Sequence, residues 1–250
     1  MSITIGHDSE FGLRRDGAIL SALDHLTPFE TLSGRGFPDN MNAEIAINPV
    51  KSLKDFHAYT DDLISQVQEQ NFDVVLSPTI KYPDEAMQNP LAYISGCNPD
   101  FCAYTGMENN APDFKTMDST RSAGGHIHVG VEGLNKEEWV MWMDLFVGLP
   151  LLSREPLNDR RKLYGGPGAY RDKPYGAEYR TLSNIWIQDP ELREFVYEGT
   201  MKAVEKAQSS SFRDSVPQWE RVPSAIATHD INLASQVIDQ AYIFGVQNVN

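Results

Sequence analysis

Apolar and polar positions alternate in four separate stretches of the chain. In SITIGHDSEFGLRR, Ile3, Ile5, Phe11 and Leu13 share one parity, whereas Thr4, Asp8, Glu10 and Arg14 share the other. That is the period of a strand with one buried face. Asp16-Gly17 then signals a hairpin turn before AILSAL. NMNAEIAINP alternates in the same way, with Met41, Ala43, Ile45 and Ile47 opposite Asn40, Asn42, Glu44 and Asn48. In SAGGHIHVGV, His126 and His128 project from one face and Ile127, Val129 and Val131 from the other. AEYRTLSN is the fourth stretch, a strand in which Glu178 and Arg180 share a face.

Other segments have the helical period. Leu53, Phe56, Leu63 and Val67 space a helix over 52–70, and Ser52 with Asp55 forms a variant of the capping box. Asn135 and Glu138 open a helix through 139–152, apolar enough to be buried, with Trp139 and Trp142 in the core. Asp189-Pro190 starts another, with Pro at its first turn, running to about Gln208, and a last helix covers roughly 230–244. FDVVLSPTI (72–80) reads as one more strand. Residues 81–121 show no clear period and read as a long ordered excursion near a site, and 153–175 reads as a loop. No repeat, low-complexity tract or linker interrupts the chain, so residues 1–250 read as a single domain.

Composition narrows the function. A formal net charge of -14 argues against a non-specific hold on nucleic acid, which needs Lys and Arg against phosphates. The start MSITIGHDSE lacks the pattern of a signal peptide and no apolar run approaches a membrane span. These features place the protein in the cytoplasm, with no nucleic-acid or membrane partner. Cys97 and Cys102, the only cysteines, form a C-x4-C pair expected to be free thiols, two ligands short of a structural zinc site.

The chemistry collects on the polar parities. Glu10, Glu44, His126 with His128, and Glu178 with Arg180 lie on four different strands. His7 instead falls on the apolar parity and reads as a packed, hydrogen-bonded histidine. Carboxylates crowded on one sheet face repel one another and lose hydration, and divalent cations relieve both costs. Oxygen ligands select Mg²⁺, and an added imidazole suits Mn²⁺. Gly124-Gly125 would let a nucleotide or substrate approach the backbone, and Arg171 and Arg180 could clamp a phosphoryl group. The expected architecture is an α+β fold: an antiparallel sheet with helices behind it and a polar face in front. YGGPGAYR lacks the lysine and hydroxyl of a P-loop and reads as a turn-rich entry to Arg171.

GHDSEFG, NAEIAINP, AGGHIHVG and GAYR…KPYGAEYRTLS, in that order from residue 6 to about 184, resemble the phage-type carboxylate-amine ligase family (COOH·NH2 ligase type 2, amidoligase). Its wider superfamily is that of glutamine synthetase and glutamate-cysteine ligase. The resemblance implies a glutamine synthetase-like catalytic fold, an antiparallel, partly curled β-sheet with helices on the convex face and an active site on the concave face. It implies an ATP-dependent ligase that forms an amide through an acyl-phosphate intermediate, with ATP and Mg²⁺ (or Mn²⁺) as cofactors. Small-molecule carboxylate and amine substrates, amino acids or a peptide among them, would be the partners, in the host cytoplasm if the gene is a phage's. By motif position, Glu10, Glu44, His126 and Glu178 would be metal ligands. Arg180 and Arg171 would contact phosphates, Asp8 would ligate metal or orient substrate, and His128, Gly124, Gly125 and Arg180 would bind the nucleotide. The chain departs from better-known members in its shortness and in having Asp8-Ser9-Glu10 where many carry two glutamates.

Two other classes compete. A metal-dependent hydrolase could use H-x-H with scattered carboxylates to activate water, although paired arginines have less to do there. A non-catalytic nucleotide-binding protein would hold ATP and metal without releasing ADP. Under the ligase reading, Arg180→Ala is expected to abolish turnover and leave the fold intact.

Overall fold

The computed structural model describes residues 2–93, 100–110 and 118–243. Its twelve strands are β1 (Thr4–Arg15), β2 (Ala18–Leu20), β3 (Phe29–Thr31), β4 (Gly34–Asp39), β5 (Asn42–Ile47), β6 (Asp73–Val75), β7 (Thr79–Lys81), β8 (Phe101–Cys102), β9 (Thr120–Ser122), β10 (Gly125–Gly130), β11 (Ala169–Lys173) and β12 (Gly176–Tyr179). An open antiparallel sheet runs in the order β3-β4-β5-β1-β10-β12-β11-β8. The far half of β1 carries β2 and β6 instead. All four alternating stretches are strands, and they lie side by side at the centre of this sheet. Asp16 and Gly17 both take positive φ, the conformation of a two-residue turn matched to strand twist.

The helices are α1 (Ala22–His25), α2 (Leu53–Glu69), α3 (Lys136–Met143), α4 (Leu149–Leu151), α5 (Arg160–Leu163), α6 (Pro190–Ser209), α7 (Phe212–Ser215), α8 (Arg221–Thr228) and α9 (Ile231–Ile243). The apolar parity of the central strands (Ile5, Phe11, Ala43, Ile45, Ile127, Val129) forms one core with Phe56, Leu63 and Val67 of α2 and with Trp139 and Trp142 of α3. Ser52 accepts from the Asp55 N–H, Asn135 from the Glu138 N–H and Asp189 from the Glu191 and Leu192 N–H groups, so all three predicted helix starts are capped. Between α3 and α4 the chain takes a π-helical turn over Asp144–Gly148. Among the described residues no helix is long and apolar enough to cross a membrane.

Two expectations change, and one hairpin goes unforeseen. The single strand over 72–80 is two, because the chain breaks at Leu76–Pro78: β6 joins β1, while β7 pairs with β9 in a separate two-stranded sheet. The loop over 153–175 contains α5 and β11, and β11 is hydrogen-bonded to β12 and β8. The β3–β4 hairpin had no visible signal, since GRGFPD reads as turn chemistry. Its glycines serve close packing: a Cβ on Gly36 would lie 2.3 Å from the Phe29 ring, and one on Gly34 2.2 Å from the Ala46 carbonyl. Cys102 is a free thiol, while Cys97 lies outside the described residues.

Candidate functional site

Strand register assembles the site on the face away from the helices. Asp8 is paired across the strands with His126 and with Ala46, and Glu10 with Glu44. On the other side, His128 is opposite Glu178, which is in turn opposite Arg171. Arg171 is therefore a strand residue on the sheet, not a loop residue, and Lys173 arrives with it. The sequence-based candidates Asp8, Glu10, Glu44, His126, His128, Arg171, Glu178 and Arg180 all converge here.

Asp8 accepts from both imidazoles, with His126 Nδ1 2.9 Å from Oδ1 and His128 Nε2 2.8 Å from Oδ2. Burial opposes its charge, yet the two histidines hold its carboxyl well below the usual carboxylate range. His126 is buried and, through loss of hydration and the nearby Arg180 guanidinium, its pKa falls to about 3, so the ring is neutral. Because Asp8 can only accept, the His126 proton sits on Nδ1 and its Nε2 carries a bare lone pair. That buried Nε2 has no hydrogen-bond partner and lies 4.0 Å from Glu10 Oε1. His128 has no such vacancy: its Nε2 is hydrogen-bonded to Asp8 and its Nδ1 to the Tyr175 hydroxyl at 2.8 Å.

The carboxylates divide into two groups. Glu178, fully buried, is held by Lys173 Nζ at 2.7 Å, by Arg171 at 3.5 Å and by Arg180. With Asp8 and His128 it forms one set of three closely spaced donors. Glu10, Asp39 and Glu44 form the other, with donor atoms within 4.8 Å of one another. No lysine or arginine salt bridge to these three is seen among the described residues, although Arg180 acts on Glu10 and Asp39 through space, as do Arg160 on Glu10 and Arg171 on Asp39. Burial and then Asp39 raise Glu10 to about 7, against the pull of the Gly124 N–H. Burial and then Asp8 and Glu10 push Glu44 well above its ordinary value, and burial likewise raises Asp39. A cation-deficient cluster beside a bare imidazole nitrogen has the donor chemistry of a hard divalent ion with one nitrogen ligand.

Several participants had no readable signal. Asp39 ends the unforeseen β4, and Lys173 the unforeseen β11. Asn42 donates from Nδ2 to Glu10 Oε2 at 3.3 Å and to the Ser122 carbonyl at 2.7 Å, and its Oδ1 accepts from Tyr82 at 2.8 Å. Asp100 is 3.3 Å from Arg180 Nε. Through Tyr82 and Asp100, the 81–121 excursion does reach the site. Buried Arg160 donates to the Thr181 and Arg180 carbonyls, fixing the chain that carries Arg180.

Gly124 and Gly125 also serve the protein's own packing. A Cβ on Gly124 would lie 2.1 Å from His126 Nε2, and one on Gly125 2.5 Å from Trp186 Nε1. The room they leave is filled by the protein's own rings, so they seat His126 and the strand. Gly124 also donates its N–H to Glu10 Oε2 at 3.1 Å.

An open sheet whose solvent-side face gathers paired carboxylates, imidazoles and guanidinium groups defines a class of protein able to hold cations next to an anionic reactant. Residues 115–217 match the family model described as Phage phiEco32-like COOH.NH2 ligase-type 2, the family that the four motifs resemble and one whose name denotes ligases joining a carboxylate to an amine. The match spans His126, His128, Arg171, Glu178 and Arg180, whereas Asp8, Glu10, Asp39 and Glu44 lie outside it. No curated protein matches the chain.

Proposed function

We propose that this protein is an ATP-dependent carboxylate-amine ligase that forms an amide through an acyl phosphate, on a sheet of the glutamine synthetase type. The observation that carries the reading is the division of the polar face into a cation-deficient carboxylate cluster and an adjoining cationic one. Glu10, Asp39, Glu44 and His126 Nε2 would hold Mg²⁺ or Mn²⁺; this set moves Glu178 of the expected ligands to the guanidinium side and adds Asp39. When bound, the ion neutralises charge on phosphate oxygens.

Arg171, Lys173 and Arg180, all turned toward Glu178, would meet the developing charge of a phosphoryl group, and Arg180 is held by Asp100 and, through its carbonyl, by Arg160. A carboxylate oxygen of the substrate attacks the γ-phosphorus, the bond to the β-phosphate oxygen breaks, and ADP leaves. The guanidinium groups stabilise the equatorial oxygens without reorganising. The amine nitrogen then bonds to the acyl carbon, phosphate departs with the bond electrons, and a site carboxylate takes the amine proton. Asp8, fixed by two imidazoles, holds the rings rather than the ion.

Purified protein with ATP, Mn²⁺ and a pool of amino acids and small amines should release ADP only when the pool is present. AMP in place of ADP would contradict the acyl-phosphate route, and water-dependent cleavage of pool members without nucleotide change would favour the hydrolase.

A further inference from the structure

A groove of about 380 Å³ opens on the polar face beside Asp8 and Glu44. Its lining includes residues with little or no side chain, Gly6, Ala46 and Gly130, and the apolar ring of Pro49. Arg35 and Lys173 line it together with the acids. The Arg35 guanidinium rests over the Phe37 ring at 5.0 Å and meets no carboxylate partner among the described residues. The register sets the spacing: Arg35 is opposite Ala46, and Ala46 opposite Asp8. Two strand spacings separate their backbones, about 10 Å, and the Arg35 side chain shortens the gap to be spanned. One or two amino-acid residues, at about 3.5 Å each, bridge what is left.

Resting on the ligase reading, we propose that this groove takes the amine substrate, and that this substrate is an amino acid or dipeptide with a free carboxylate. The carboxylate pairs with Arg35, a planar donor fork suited to it. The side chain lies along Pro49, and the amine points at Asp8 and Glu44, on the side where the acyl group would be activated. A simple amine or ammonia would leave both Arg35 and Pro49 unused.

The test is binding without nucleotide, so that it does not depend on turnover. By isothermal titration in Mn²⁺ buffer, L-alanine, L-leucine, L-glutamate and L-alanyl-L-alanine are each compared with their C-terminal carboxamides. At least one free carboxylate should bind, with its carboxamide at least tenfold weaker. Arg35→Gln should erase that preference and Arg35→Lys restore part of it, while Mn²⁺ affinity stays within twofold in both. Equal binding of acid and carboxamide, no binding by any probe, or an unaltered preference in Arg35→Gln would overturn the proposal. Displacement of the bound probe by ATP would also overturn it, by placing the nucleotide in the groove. Carboxylate-selective binding without substrate-dependent ADP would leave the groove assigned and remove the ligase reading; ADP release without selectivity would do the reverse.

Discussion

His7 and His126 sit on neighbouring strands, are both buried, and both have a pKa lowered to about 3, chiefly by loss of hydration. On the helix side, Thr60 gives its own proton to the Phe56 carbonyl and so accepts from His7 Nε2 at 2.8 Å, while Ser9 meets Nδ1 at 2.9 Å. Phe56 and Trp186 close on that ring edge-on. Every polar atom of His7 is used. On the open side, His126 uses one nitrogen for Asp8 and leaves the other bare. Burial and a shifted pKa are thus common to both rings; what separates a structural histidine from a candidate ligand is whether its second nitrogen is already satisfied.

The largest effect that would break this comparison is on turnover. Arg180→Ala is a poorer test than its sequence suggested, because removing Arg180 strands Glu178 and Asp100 as buried, less compensated acids and threatens the fold. Arg180→Lys keeps the charge but loses the fork. It should lower substrate-dependent ADP release about 10²-fold with a melting curve close to wild type. Unchanged ADP release would remove Arg180 from the phosphoryl site.

Next come the two histidines themselves. His126→Ala should weaken Mn²⁺ binding at least tenfold by titration calorimetry, whereas His7→Ala should leave it within twofold. Equal losses would mean that Nε2 of His126 is not a ligand. Stability reverses the order: His7→Ala opens a cavity and strands Thr60 and Ser9, costing about 2–4 kcal/mol in urea unfolding.

The same ring gives a pH signature. Its folded pKa lies below its unfolded value near 6.5, so the unfolded state binds the proton first. Stability is full above about pH 6.5 and falls as the pH drops toward 3, by up to about 1.4 kcal/mol per pH unit from this residue. His126 contributes a similar loss and Glu10, raised to about 7, an opposing gain, so His7→Ala should remove up to about 1.4 kcal/mol per pH unit of the acid-side loss in that window. An unaltered slope would mean that His7 is not buried neutral. The smallest effect belongs to Tyr82→Phe, which frees Asn42 Oδ1 and should cost about 1 kcal/mol; a change below a few tenths would show the relay to Glu10 to be slack.

Alternation alone was sufficient to find β1, β5, β10 and β12, because each has a face that must meet the helices and a face that must not. It therefore also isolated Asp8, Glu10, Glu44, His126, His128 and Glu178, and put His7 with the core. It could not find β4 or β11. In GRGFPD the glycines answer to Phe29 and Ala46 on other strands, and in AYRDK the pairing comes from β12 and β8, so neither segment carries the pattern of its own burial. Asp39, Arg35 and Lys173 went unseen with them.

By itself, then, the sequence determined which strands are two-sided and which side chains share each polar face, since side-chain parity is a local property of an extended chain. Only the tertiary structure decided the register. Register sets Glu10 against Glu44 and Glu178 against Arg171, separates the carboxylate salt-bridged to lysine and arginine from those that are not, and fills the space at Gly124-Gly125 with the protein's own rings. Those outcomes depend on atoms far apart in the chain, and no period within a segment can encode them.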